Sequence, residues 1–161
     1  MITLQELLQS RDRRAARQGE LLAQYPGRSL VCVTVQLPGS EKRNGNSLKI
    51  ANAAVEAVEK MFMPVFKELK DLETGFECYF VVEGEPLDVK KAASAIEENH
   101  PLGRLMDIDV IGADGPIGRG EIGLEERRCL LCDKPARVCM RAGSHSTTEL
   151  LDKIEKLCEA Y

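Results

Sequence analysis

Three short stretches of this chain, rich in apolar residues, each predict a β-strand, and in the third of them apolar and polar residues alternate. The stretches are residues 29–37, 76–82 and 106–111. They are rich in valine, isoleucine and phenylalanine, which are typical of strands with at least one buried face. The third stretch carries aspartates at two of its polar positions.

Four segments with helical signals separate and flank these strands. A Thr-x-x-Glu capping box at residues 3–6 and a Ser-x-x-Glu box at residues 146–149 open the first and the last helix. Pro64 is expected to kink or split the second helix. The predicted helices cover residues 4–25, 48–69, 86–99 and 147–161.

The order strand, helix, strand, helix, strand, with a further helix at each end, predicts an α+β fold. We expect an α/β sandwich in which one mixed β-sheet is covered by helices. The 161 residues contain no internal repeat or interdomain linker. A single domain over residues 1–161 is therefore expected, with a Cys- and His-containing segment at residues 129–145.

The third strand carries the most informative pair of side chains. Asp107 and Asp109 are separated by one apolar residue, so both carboxylates lie on one face of the strand. Aspartate is depleted in strands, and paired carboxylates are suitable ligands for a magnesium ion that bridges substrate phosphates. The alternative is a strand whose polar face meets only water.

Two further groups of residues fit phosphate chemistry around this strand. Gly103 and Arg104 precede the aspartates, and the arginine is placed to clamp a polyphosphate. Gly39 and Lys42 lie in a turn after the first strand, where backbone N–H groups and a lysine can cradle a phosphate. His100, with an unperturbed pKa near 6.5, is a candidate base.

A cysteine-rich segment resembles a small structural zinc site in its spacing. A Cys-x-x-Cys pair is followed by a third cysteine and then by a histidine five residues later. Buried reduced thiols, or a redox pair, are the alternatives. The candidate ligands are Cys129, Cys132, Cys139 and His145.

Arginines form two clusters, and for both of them surface exposure is one of the two interpretations. Arg127 and Arg128 precede the cysteines, and they are candidates to bind substrate phosphate. Residues 11–17 of the first helix set arginines at helical spacing. A solvated helix face is the favoured interpretation of that segment, with a phosphate or acidic-partner contact as the alternative.

The overall charge and hydropathy exclude some classes of function. The formal net charge of −4 argues against a general nucleic-acid binder. No apolar stretch reaches the length of a membrane span, and the N-terminus lacks the features of a signal peptide. We therefore expect a cytoplasmic protein with no nucleic-acid or membrane partner.

These motifs together resemble the apo-citrate lyase phosphoribosyl-dephospho-CoA transferase family, the holo-acyl-carrier-protein synthases of citrate lyase. The similarity covers nearly the whole chain, and the cysteine block is its most specific part. Residues 142–144 are Ala-Gly-Ser, where the family pattern has further arginines. The matching residues are His100 to Arg104, Asp107 to Val110, Glu126 to Cys132, Pro135 to Cys139, and His145-Ser146.

The resemblance implies a nucleotidyltransferase-type reaction. The 2′-(5″-phosphoribosyl)-3′-dephospho-CoA group moves from its triphosphoribosyl precursor to a serine of the citrate lyase acyl carrier protein, and diphosphate leaves. In this interpretation Asp107 and Asp109 hold Mg²⁺, Arg104 and Lys42 neutralise phosphate charge, and the base is an aspartate or His100. The alternatives are a magnesium-dependent pyrophosphokinase acting on a small alcohol, and a non-enzymatic, zinc-stabilised adaptor.

Overall fold

The computed structural model describes residues 1–161 as five α-helices and five β-strands. The helices are α1 (Leu4–Gln24), α2 (Gly45–Phe62), α3 (Pro86–Asn99), α4 (Ala136–Ala142) and α5 (Thr147–Ala160). The strands are β1 (Ser29–Val35), β2 (Phe66–Leu72), β3 (Gly75–Val82), β4 (Met106–Gly112) and β5 (Gly115–Pro116). Short 3-10 helices cover Gly103–Leu105 and Arg119–Ile122.

The strands form one sheet in the order β2-β3-β1-β4-β5. The α+β class is thus confirmed, but every pairing is antiparallel, whereas a mixed sheet was expected. The connectivity β1-α2-β2-β3-α3-β4 interleaves two split βαβ units, because β3 lies between β1 and β2. Strands that run in the same direction are therefore never neighbours in the sheet.

The prediction of a helix over residues 48–69 was wrong at its C-terminal end. Helix α2 ends at Phe62, the C-cap residue Met63 has a left-handed φ of 47°, and Pro64 follows. The chain then forms β2, an edge strand paired with β3. Local spacing did not reveal this strand because its backbone partners are supplied by β3, a later segment of the chain.

The two faces of the sheet are covered by different helices. The face that carries Val33, Phe80 and Ile108 packs against α2 and α3, and Ile154 and Cys158 of α5 join this core. The opposite face packs against α1 in a smaller cluster around Leu21 and Tyr79. As predicted, Met106, Ile108 and Val110 of β4 are buried in the larger core.

The α1 side of the sheet changes from apolar to polar along its strands. Near the C-terminal half of α1 it presents Leu30, Val81 and Ile111, which are buried. Near the N-terminal half it presents Glu77 and Asp107, and α1 contributes arginines there. An apolar contact thus fixes one end of α1, and a polar cavity opens under the other end.

Both predicted capping boxes are present. The Thr3 hydroxyl accepts a hydrogen bond from the Glu6 N–H at the start of α1, and Ser146 does the same for Glu149 in α5. Helix α2 begins earlier than predicted because Asn44 caps it and Ser47 closes the box. None of the helices combines the length and the apolar composition that crossing a membrane would need.

Candidate active site and metal site

A cavity of about 740 Å³ lies between α1 and the sheet. Gly39, Lys42, Arg104 and Asp107 all line it. These four residues come from the turn after β1 and from the segment leading into β4. The tertiary structure therefore brings together the two groups of residues that the sequence assigned to phosphate chemistry.

The floor of the cavity is a row of side chains that crosses three adjacent strands. Thr34 of β1 is paired with Glu77 of β3 on one side and with Asp107 of β4 on the other. Because paired residues project from the same face of a sheet, the two acidic side chains flank the threonine. Both carboxylates therefore face α1.

Four cationic side chains line the cavity, and none of them forms an ion pair with a carboxylate: Arg11, Arg14, Lys42 and Arg104. Lys42 Nζ donates to the Leu37 carbonyl at 2.7 Å. Burial lowers the pKa of Lys42, and the charge of Arg11 lowers it further. Such a concentration of unneutralised positive charge favours an anionic ligand.

The Arg104 side chain is held at the cavity wall by neutral acceptors. Its Nε donates to the main-chain carbonyl of Arg128 at 2.8 Å, and its Nη1 reaches the Gln36 side-chain oxygen at 3.4 Å. Burial and the nearby charge of Arg127 lower the pKa of Arg104. These contacts fix the direction of the guanidinium without neutralising its charge.

The two aspartates of β4 differ in their access to the cavity. Asp107 lines it, whereas Asp109 lies two residues further along the same face and does not. Neither carboxylate has a hydrogen-bond or ion-pair partner among the protein side chains. Burial, together with the charge of Glu97, raises the pKa of Asp107. Asp109 is exposed to solvent, but partial desolvation by the surrounding protein and the charge of Asp107 raise its pKa.

The turn after β1 owes its shape to one glycine. Gly39 has a φ of +86°, which L-amino acids with side chains rarely adopt, and a Cβ there would lie 3.2 Å from the Thr147 side chain. Lys42 follows three residues later and packs near Gly75 in the β2–β3 turn. The turn thus lies at the Glu77 side of the cavity, whereas Arg104 lies at the Asp107 side.

The four predicted zinc ligands converge beside the cavity. One donor atom from each of Cys129, Cys132, Cys139 and His145 lies within 4.8 Å of the others. A tight turn brings the first two together, because the Cys129 N–H donates to the Lys134 carbonyl at 2.7 Å. This donor set matches that of structural zinc.

Two details of this cluster favour a bound cation. The Nε2 atom of His145 is buried and has no hydrogen-bond partner, although buried polar atoms are normally paired. Burial opposes ionisation of Cys129, but hydrogen bonds from the Leu131 and Cys132 N–H groups and from neighbouring thiols lower its pKa to about 7. Three of the four ligands, Cys132 being the exception, also line the cavity.

Several predicted site residues lie outside the cavity lining. Arg127 lies behind it, where its guanidinium donates to the carbonyls of Met106 and Gly103 and to the Glu97 carboxylate. Arg128 is exposed and pairs with Glu125. The phosphate-binding roles of Arg127 and Arg128 stay predictions without a cavity contact to support them.

Gly103 and His100 lie outside the cavity and make contacts that support the fold. A Cβ on Gly103 would lie 2.3 Å from the Glu97 carbonyl oxygen, so a glycine is required for close packing against α3. The His100 ring lies 5.3 Å from that of Tyr161, and its Nδ1 accepts a hydrogen bond from the Leu102 N–H. The base role considered for His100 therefore has no cavity contact either.

The sequence interpretation missed Glu77, and it favoured a solvated face for the segment that carries Arg11 and Arg14. An acidic residue inside an otherwise apolar strand was the available signal for Glu77. The i, i+3 spacing of the two arginines places them on one face of α1, but only the packing of α1 shows that this face is turned toward the sheet. Arg17, one turn further on, pairs with Glu68 instead.

Comparison with known proteins identifies the family. The model of the apo-citrate lyase phosphoribosyl-dephospho-CoA transferase family matches residues 2–161. The chain belongs to this family. A Vibrio cholerae relative named "Probable apo-citrate lyase phosphoribosyl-dephospho-CoA transferase" is 38% identical, and the match covers 99% of this chain and 93% of that protein.

Other members of the family match over the same extent of this chain. A Streptococcus pyogenes protein with the same name is 35% identical over 99% of this chain and 87% of its own. The Haemophilus influenzae protein CitXG is 35% identical over 99% of this chain but only 36% of its own length. The family unit thus also occurs as part of a longer polypeptide.

Proposed function

We propose that this transferase moves 2′-(5″-phosphoribosyl)-3′-dephospho-CoA from its triphosphoribosyl precursor to a serine of the citrate lyase acyl carrier protein, releasing diphosphate. Family membership supports the transferred group and the acceptor. The observation that carries the proposal is the shared cavity of Gly39, Lys42, Arg104 and Asp107. A triphosphate is the part of the donor that this concentration of cations would bind.

The four unpaired cations divide into two sides of the cavity. Arg104 precedes β4, the strand that carries Asp107, so we assign it to the phosphates that leave as diphosphate. Lys42 and Arg11 lie near each other, as the effect of Arg11 on the pKa of Lys42 indicates, and we place them on the opposite side. Arg14 of α1 lines the same cavity. Charge-assisted hydrogen bonds from these groups would hold the triphosphate and its attached ribose in place.

Magnesium is part of the proposal, with Asp107 and Asp109 as its protein ligands. The two carboxylates share one face of β4 and have no protein cation to neutralise them, which fits a hard divalent ion held by one or two carboxylates and substrate phosphates. When bound there, magnesium would supply neutralisation of the charge on the leaving diphosphate. Arg104 and Lys42 of the protein would orient the bound triphosphate.

Zinc at Cys129, Cys132, Cys139 and His145 is the second metal that we propose, in a structural role. A closed set of four protein ligands leaves no open position for substrate, unlike a catalytic zinc site. The ion would fix the loop from Cys129 to His145 as a wall of the cavity. The ion would also fix the Arg128 carbonyl, because Arg128 directly precedes Cys129. This carbonyl accepts the hydrogen bond from Arg104 Nε.

The rim of the cavity favours a macromolecular acceptor over a small alcohol. Several lining residues are exposed to solvent, among them Gln36, Gly39, Met140 and Gly143. An exposed rim allows a serine on the surface of another protein to approach the bound donor. A pyrophosphokinase acting on a small alcohol would instead need an enclosed pocket for its acceptor.

Mass spectrometry of the apo-carrier protein tests the proposed function. After incubation with this protein, the triphosphoribosyl donor and magnesium, the carrier should gain the mass of the prosthetic group. Asp107→Asn should reduce the rate at least about 100-fold, whereas Asp114→Asn, a matched change at an exposed aspartate beyond β4, should not. A competent carrier that gains no mass with the wild-type protein would refute the proposal.

A further inference from the structure

Glu77 is a buried carboxylate in the cavity with no cation to neutralise it. Glu77 is only 5% exposed to solvent, yet it lines the cavity. No lysine or arginine nitrogen lies within ion-pair distance of it, unlike Glu97, which pairs with two arginines. Buried charges are normally paired, so an unpaired carboxylate in a cavity is a feature of functional sites.

The hydrogen bonds of Glu77 orient the carboxylate and leave part of it free. The Tyr79 hydroxyl donates to Oε1 at 2.5 Å, and the Ser10 hydroxyl donates to Oε2 at 3.4 Å. A carboxylate has about four acceptor positions, and these donors occupy two of them. The group is therefore fixed in direction and still able to accept a proton from a ligand in the cavity.

The position of Glu77 relative to Asp107 suits an in-line displacement. Both are paired with Thr34, from opposite sides, so their Cα atoms are separated by two strand spacings, about 10 Å. In-line attack on phosphorus requires the attacking oxygen and the leaving oxygen to lie on opposite sides. With diphosphate leaving on the Arg104 and Asp107 side, the attacking hydroxyl lies on the Glu77 side.

No other side chain of the cavity is as well placed for this task. Glu77 and Asp107 are the only acidic residues in the lining. His100 lies outside it, and His145 belongs to the Cys/His cluster. Asp107 is a proposed magnesium ligand, on the leaving-group side.

We propose that Glu77 is the general base of the transfer, an inference that rests on the proposed function. The acceptor hydroxyl oxygen forms a bond to the phosphorus nearest the ribose as its proton passes to the Glu77 carboxylate. The bond from that phosphorus to the bridging oxygen breaks, and its electron pair leaves on diphosphate. Glu77 then returns the proton to solvent, so the step needs no oxidant or further reactant.

The charged and titratable groups around Glu77 come from every element packed against it. Arg11 and Arg14 face it from α1, and Lys70 is its partner on β2. Asp107 lies beyond Thr34 on β4. The remaining neighbours are Tyr79 on its own strand, Cys32 on β1 and Lys42 in the turn.

A Glu77→Gln variant is the direct test, with transfer to the carrier measured by mass spectrometry. The amide keeps the size of the side chain and can still accept from Tyr79. We expect the transfer rate at neutral pH to fall about 10²–10⁴-fold, with donor binding, measured by calorimetry, unchanged. The fall should appear in kcat with the KM for the donor unchanged, whereas loss of a purely structural residue would also lower the melting temperature.

Glu83→Gln is the matched control, because it makes the same change at an exposed glutamate next to the end of β3. Its kcat and KM should equal those of the wild type. A folded Glu77→Gln protein that transfers at the wild-type rate, or that loses rate only through a higher KM for the donor, would overturn the proposal. A wild-type protein that loads no carrier would refute the proposed function, and this inference with it.

Tyr79→Phe provides a second test that does not depend on folding of the Gln variant. Tyr79 is fully buried and its hydroxyl donates to Glu77, so phenylalanine removes one hydrogen bond and little volume. Without this hydrogen bond the carboxylate is no longer held in one direction, so kcat should fall about 10–100-fold with the KM for the donor unchanged. An unchanged kcat in a folded Tyr79→Phe protein would contradict the proposal.

Discussion

The Nε atom of Arg104 donates a hydrogen bond to the main-chain carbonyl of Arg128 at 2.8 Å. Arg128 directly precedes Cys129, and it is bridged to Pro135 across the turn that brings the cysteines together. The direction of a cationic side chain in the cavity therefore depends on the conformation of the Cys/His segment. This contact connects the proposed phosphate site to the proposed zinc site.

Arg104→Lys should lower kcat/KM for the triphosphoribosyl donor without unfolding the protein. Lysine keeps the positive charge but cannot donate to the Arg128 carbonyl and a phosphate at the same time. Losing about 1.5–3 kcal/mol of charged hydrogen bonding corresponds to about a 10–150-fold fall in kcat/KM for the triphosphoribosyl donor. Arg128→Lys, which retains the main-chain carbonyl, is the control and should leave kcat/KM unchanged. An Arg104→Lys enzyme with wild-type kcat/KM would remove Arg104 from the site.

Cys132→Ser should abolish metal binding and loosen the cavity wall. Cys132 is a candidate zinc ligand that does not line the cavity, so its replacement removes no group that lines the cavity. Elemental analysis should find about one zinc per wild-type chain and none in the variant. The variant should also show a lower melting temperature and a higher KM for the donor.

Cys158→Ala serves as the control for this prediction, because Cys158 is a buried cysteine of the main core. It should keep the full zinc content. Wild-type protein without zinc, or a Cys132→Ser variant with full zinc content, would contradict the assignment of this site.

Arg127→Lys should lower stability and leave donor affinity almost unchanged. The Arg127 guanidinium binds Glu97, Met106 and Gly103 behind the cavity, and lysine cannot reproduce this set of contacts. The free energy of unfolding should fall by about 2–4 kcal/mol in denaturant titrations. A large rise in the KM for the donor, with stability intact, would instead support the phosphate-binding role predicted from the sequence.

Arg137→Lys is the control for this prediction. It changes an exposed arginine that pairs with Glu126 at the surface, where ion pairs contribute little. Its unfolding midpoint should not differ measurably from that of the wild type.

His100 should make stability depend on pH without affecting transfer. Burial lowers the pKa of His100 from its ordinary value of 6.5, against a smaller raising effect of Glu56, and protonation of Nδ1 would break the bond from the Leu102 N–H. A group with a lowered pKa contributes stability that is present above its unfolded pKa and is lost as the pH falls through its folded pKa. His100→Ala should therefore be less stable than wild type by about 1 kcal/mol at pH 7.5.

This difference should narrow as the pH is lowered from 7.5 to 5, because only the wild type must protonate the ring. Urea titrations at several pH values measure it. Transfer activity at pH 7.5 should stay within about twofold of wild type, since His100 is outside the cavity. A loss of activity much larger than that, in folded protein, would restore His100 as a candidate base.

Much of the fold was predictable because its signals are local. The capping boxes of α1 and α5, the apolar alternation of β1 and β4, and the proline at the start of α3 each depend on neighbours within a few residues. The strand β2 was not predictable in this way. Its Phe66, Leu69 and Leu72 follow a helical spacing, and only pairing with β3 makes the extended conformation favourable.

The candidate site shows the same division between local and long-range information. Asp107, Arg104 and the Gly39–Lys42 turn were recognisable from residue type and spacing, and the tertiary structure places them around one cavity. Glu77 was missed because its significance comes from its register with Thr34 and Asp107, which sequence spacing does not encode. For Arg127 the sequence led to the opposite error. This arginine lies close to the cysteine motif and was expected to bind phosphate, but it binds Glu97 behind the cavity.

The sequence by itself determined the class of fold, the family and the chemical identity of the residues that contact the cavity. It did so because helix caps, strand alternation and metal-ligand spacing act over short distances along the chain. Only the tertiary structure decided which charges remain unpaired, because pairing depends on segments far apart in sequence. Glu97 finds two arginines, whereas Glu77, Asp107, Arg11 and Arg104 find no opposite charge in the protein, and these unpaired groups define the proposed site.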